Sequence, residues 1–140
     1  MSRLSVAFIR ASLGFLLFGI LLGLIMACPG GYSWLSGLGH GSPNLAHAHA
    51  NLLGFLMHMV AGVAYHIFPR FTGNPIPWPK LAWAQFYAGL AGTVLMILGF
   101  LFQGRLPWLL PTGAVIQVFG LVTFAILLFT VVKPLQRLSI

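Results

Sequence analysis

Hydrophobic residues run almost without interruption through four stretches of the chain, roughly 4–27, 45–68, 81–102 and 108–132. At 1.5 Å per residue each is long enough to cross the roughly 30 Å hydrocarbon core of a bilayer. The breaks between them are short and rich in Pro and Gly, namely CPGGYSWLSGLGHGSPN, PRFTGNPIPWPK and QGRLP. Trp34, Trp78, Trp83 and Trp108 lie at or near the ends of the stretches, where interfacial aromatics belong. No alternating stretch reads as a strand. The pattern predicts an all-α integral membrane four-helix bundle in a single domain over 1–140. LIMAC before Pro-Gly-Gly has the outline of a lipoprotein signal ending at Cys28, yet the first stretch is read here as a membrane helix.

Composition agrees. Hydrophobic residues make up 59% and charged residues 5% of the chain, against about 25% charged in a soluble domain. Neither Asp nor Glu occurs anywhere, which removes carboxylate acid–base catalysis, Glu-assisted zinc hydrolysis and Asp/Glu proton relays. The net charge of +7 calls for outside anions: anionic lipid headgroups, an acidic partner surface, or an anionic cofactor. Seven cations scattered singly make no basic stripe, so nucleic acid is not expected as a partner. The single cysteine, Cys28, excludes an internal disulfide, a CxxC metal site and covalent haem attachment through CxxCH.

Arg3, Arg10, Arg70, Lys80, Lys133 and Arg137 fall on one side of the predicted helices and only Arg105 on the other. The positive-inside rule then places both termini in the cytoplasm of a bacterial or archaeal inner membrane. The His47 end of the second helix faces outward.

That second helix carries His47, His49, His58 and His66, four of the five histidines. At 3.6 residues per turn, His47, Asn51, Gly54, His58, Ala61, Gly62 and Tyr65 form one narrow stripe of polar and small residues. His49 projects to nearly the opposite side, above Leu52, Leu53 and Leu56, and His66 lies on neither face. A bland role exists for the stripe, since small residues let helices approach and His or Asn hydrogen-bond across them. Ionisable groups inside a membrane are nonetheless expensive, and four on one span point to a site. Neutral imidazole suits haem iron, copper and zinc. His47 and His58 are about 16.5 Å apart along the helix axis, too far to share one ion. Haem fits better than copper: it needs one or two imidazoles, accepts an apolar pocket beside small residues such as Gly54 and Gly62, and brings its own negative propionates. His40 in the outer loop and Arg105 are the propionate candidates.

The stretch H-A-N-L-L from His49, followed by G-V-A-Y-H-I-F-P from Gly62 to Pro69, resembles the second transmembrane helix of haem-copper oxidase and nitric-oxide reductase catalytic subunits, with a one-residue gap. The resemblance implies that His49 is an axial ligand of a low-spin haem b near the outer end of the helix. His66 stands where the reductase form has its second tyrosine. The family's subunit has many more helices, and these carry its other haem ligand and its active-site metal. The resemblance therefore implies a fragment-sized relative that is not an enzyme alone; any activity would be an oxidoreductase of that family's type. The motif favours His49, the stripe favours His47 and His58, and His49 ranks first because the motif is the more specific signal.

Histidine is missing from the first, third and fourth stretches. A second axial ligand would come from a symmetric homo-oligomer, or the haem would stay five-coordinate with a gas-binding face. The expected function is one-electron transfer or diatomic-gas binding, with one or two haem b per chain, beside a respiratory complex or another redox partner. The alternatives are a haem-free accessory or assembly subunit and a copper- or zinc-handling membrane protein. Gln117, in mid-stretch, is expected to hydrogen-bond between helices, and Gly89, Gly92 and Gly99 to form a packing face.

Overall fold

A computed structural model describes residues 1–132. Lys133 and Arg137, counted above with the inner cations, lie outside the described residues. Five helices follow one another: α1 (Arg3–Ala27), α2 (Gly31–Gly39), α3 (Pro43–Thr72), α4 (Pro79–Leu101) and α5 (Leu109–Val131). All but α2 are long and apolar enough to cross a membrane. The chain is an all-α, multi-pass membrane protein built as a four-helix bundle, and no strand occurs among the described residues.

Two pairs of helices make the bundle, and small residues explain both. Between α4 and α5 a methyl added at Gly92 would lie 2.8 Å from the Gln117 backbone nitrogen, and one at Gly113 would lie 2.8 Å from that of Met96. Between α1 and α3 a methyl at Gly19 would strike the Asn51 carboxamide at 2.7 Å, and one at Gly54 would strike the Phe15 ring at 2.4 Å. Lipid offers leucines as good a solvent as another helix does, so association rests on such close packing. The outward faces are apolar, for example Leu17, Leu21 and Leu24 on α1 and Val115, Val118 and Val122 on α5, all exposed. Those faces suit hydrocarbon.

The third helix departs from expectation in three ways. It starts at Pro43, where a missing N–H costs nothing in a first turn. It runs one turn past Pro69 before Gly73, in the left-handed conformation at φ 69°, ends it. Between Ala50 and Met57 it is wound as a π-helix, with i→i+5 bonding and fewer degrees of rotation per residue than an α-helix. The thirty residues span about 45 Å, more than a bilayer's hydrocarbon core.

The loop between α2 and α3 holds the start of α3 against the end of α4. Ser42 N–H donates to Phe100 O at 2.7 Å, and Gly104 N–H donates to Gly39 O at 3.0 Å. A methyl on Gly41 would sit 2.1 Å from Phe100 O, so only glycine fits there. At the opposite end Asn74 Nδ2 donates to Val131 O at 3.1 Å. Arg3, Arg70 and Lys80 gather at this second end; Arg105 is at the first.

Candidate functional site

Three imidazoles of α3 are held in the same way. His47 Nδ1 lies 2.9 Å from Gly19 O, His49 Nδ1 2.8 Å from Leu45 O, and His58 Nδ1 2.8 Å from Leu53 O. A carbonyl can only accept, so each ring carries its proton on Nδ1 and turns the lone pair of Nε2 outward. That is the arrangement of a ligating histidine, whose second nitrogen is usually fixed by a backbone carbonyl or carboxylate. His66 differs. Its Nε2 accepts from Arg70 Nη1 one turn away, which leaves no lone pair there for iron.

The surroundings separate the three. His47 faces α1, with its ring against Gly23 and Asn51 Nδ2 3.4 Å from its Nε2. Asn51 itself donates to His47 O at 2.9 Å. His49 faces the other way, half-buried, with its ring 4.5 Å from that of Phe100 on α4. The exposed Leu45 and Leu52 flank it along the helix, and its Nε2 has no hydrogen-bond partner among the described residues. His58 is 3% exposed and lies among the rings of Phe8, Phe15 and Phe86, at the join of the two core clusters. Its Nε2 is buried without a partner.

These positions decide what each group can hold. The space beside His58 is a cavity of about 10 Å³, against about 300–1,000 Å³ for a typical small-molecule pocket. A second haem on His58 therefore does not fit this packing. Gly54 and Gly62, expected beside a haem plane, face α1 instead. Phe15 fills the space at Gly54, and Phe8 and Ile9 fill it at Gly62. Of the three imidazoles, His49 alone combines a free lone pair with an exposed apolar flank, and a single neutral imidazole there suits haem iron. Among the described residues no three of His, Cys, Asp and Glu come together as ligands for a metal ion. His40, in the left-handed conformation at φ 52°, packs its Cβ against Gly104, next in the chain to the exposed Arg105, at the end of the bundle where α3 begins.

Sequence reasoning passed over one part of this arrangement. Phe100 backs His49 from a distant helix, and no local spacing announces it. Gln117 hydrogen-bonds between helices as expected, accepting from Thr93 Oγ1 on α4 at 3.2 Å, and Gln85 on α4 accepts from Tyr65 Oη on α3 at 3.1 Å. The signal for these was present: Gln85, Gly89 and Thr93 recur every four residues on one face of α4. No family model, curated protein or solved structure matches the chain.

Proposed function

We propose that this chain is a haem b-binding protein of a bacterial or archaeal inner membrane, with His49 as an axial ligand. One observation carries the reading: His49 has its Nδ1–H tied to Leu45 O, and its Nε2 is free on a half-buried, apolar flank of the bundle. The resemblance of the His49–Pro69 stretch to haem-copper oxidase and nitric-oxide reductase subunits supports the same residue. Bound haem would supply one-electron redox chemistry or a diatomic-gas site.

The chain's own residues would orient that group and exclude water. Phe100 packs its ring against the His49 ring at a tilt of 42°, while Leu45 and Leu52 keep the flank apolar. His40 and Arg105 stand at the outer end, where positive charge suits propionates, and with both termini cytoplasmic that end faces outward. His47 points away from His49 toward α1, so a second imidazole for the same iron comes from the His49 of another copy in a symmetric dimer. Electron exchange with a respiratory complex, and anionic lipid at the cluster of Arg3, Arg70 and Lys80, complete the reading.

A haem-free accessory subunit is the second reading, and a specific observation favours it. His47, Gly54 and Gly62 are all used in contacts between α1 and α3. The two are separated by an absorption spectrum of the purified protein in detergent, oxidised and then reduced, with a pyridine haemochrome count. The proposal expects a b-type Soret band and a sharp reduced α-band. A colourless protein that also fails to take up added haemin overturns it in favour of the second reading.

A further inference from the structure

The cavity beside His58 is too small for a cofactor, yet its walls are not those of an apolar void. It is lined by His58, Gln85 and Gln117 together with Gly89, Gly120 and large apolar side chains such as Phe8. His58 Nε2 reaches it as a bare acceptor, because Nδ1 carries the proton that Leu53 O accepts. The two glutamines have their carboxamide oxygens occupied by the hydroxyls of Tyr65 and Thr93. Those bonds fix the orientation of each carboxamide and leave the amino groups as the donors of Gln85 and Gln117.

A guest in this space must donate to an imidazole nitrogen, accept from carboxamide N–H groups, and occupy about 10 Å³. A diatomic gas has no proton to donate. A metal ion would find one imidazole and no carboxylate or thiolate. Water meets all three conditions: about 10–15 Å³ of such space holds one molecule, provided two to four polar groups surround it. We infer that His58, Gln85 and Gln117 bind one water molecule in the membrane-spanning core, bridging α3, α4 and α5. The site stands apart from the haem reading, since it uses none of the groups around His49.

Glycine at position 89 makes the space. A methyl built there meets only His58, at 3.4 Å from Nε2 and 3.6 Å from Cε1, which is ordinary contact. Gly89→Ala therefore fills the site while every polar partner remains. Solid-state NMR of the labelled full chain in lipid bilayers tests the inference through magnetisation transfer from water to side chains. The wild type should show transfer to the amino groups of Gln85 and Gln117, and an Nε2 resonance of His58 typical of a hydrogen-bonded acceptor. Both signatures should be lost in Gly89→Ala, with the Tyr65 and Thr93 resonances unmoved. His58→Phe, which keeps the aromatic volume and removes the acceptor, should lose the transfer as well and stands in if the alanine variant does not fold. No transfer in the wild type, or transfer that survives Gly89→Ala, overturns the inference. Displacement of the His58 resonances by added haemin would put iron on Nε2 and overturn it too; displacement at His49 alone is the outcome expected from the haem reading.

Discussion

His49 and His58 sit on one helix, donate from the same ring nitrogen to a backbone carbonyl, and meet opposite surroundings. His49 is half-buried beside Phe100 with exposed leucines on its flank, whereas His58 is enclosed by Phe8, Phe15 and Phe86. Tautomer alone therefore does not separate the proposed cofactor ligand from the enclosed histidine. Space does. The proposed haem needs the exposed flank of His49, whereas the cavity of about 10 Å³ beside His58 has room for one small polar molecule. At about 100° per residue the nine residues from one to the other already turn them to opposite faces of the helix.

Four substitutions would break or sharpen this contrast. The largest effect is expected at His58. Removing its ring in His58→Ala leaves a void among three aromatic rings and should lower stability by about 2–4 kcal/mol, read as a drop in thermal midpoint in detergent. Haem content should stay at the wild-type ratio. Gly54→Ala comes next, since its methyl would lie 2.4 Å from Phe15 Cγ and force α1 away from α3. A loss of about 1–3 kcal/mol in the same melt is expected; a gain, as helix propensity alone would give, would show that the contact is slack.

Gln117→Leu breaks the bond to Thr93 between α5 and α4 and should cost about 0.6 kcal/mol, the average for polar contacts between membrane helices. A loss several times larger would mean that the polar cluster acts as a unit. His66→Ala should be smallest, within about 0.5 kcal/mol and with full haem retention, because its partner Arg70 is exposed and stays solvated at the membrane end. Haem loss in His66→Ala would move the site to the C-terminal half of α3.

Much of this architecture is legible in the sequence, for reasons that also explain the misses. Four apolar stretches divided by Pro and Gly leave little choice but four spanning helices. Gln117 and the glycines of α4 stand out because polar or small residues in mid-membrane need a partner helix. Pro69 misleads as a stop signal, since a proline within the last turn removes one hydrogen bond without ending the helix. Helix α2 is hidden in a loop of glycines and serines, and it is secured by burial of Leu35 against the bundle rather than by periodicity. The π-helical turn has no marker in A-N-L-L-G-F-L-M. A wheel drawn at α-helical pitch still puts His47, Gly54, His58 and Gly62 on one inward stripe, but it cannot tell that α1 packs along the stripe from His47 to Gly62.

The account rests on His49 being the ligand, and the most direct measurement is the haem-to-protein ratio of His49→Ala beside that of the wild type, after purification in parallel and saturation with haemin. The account predicts loss of most of the bound haem in His49→Ala, with an unchanged melting profile for the apoprotein, because the ring lies on an open flank. Full haem retention in His49→Ala would contradict it and return the site to the inward stripe.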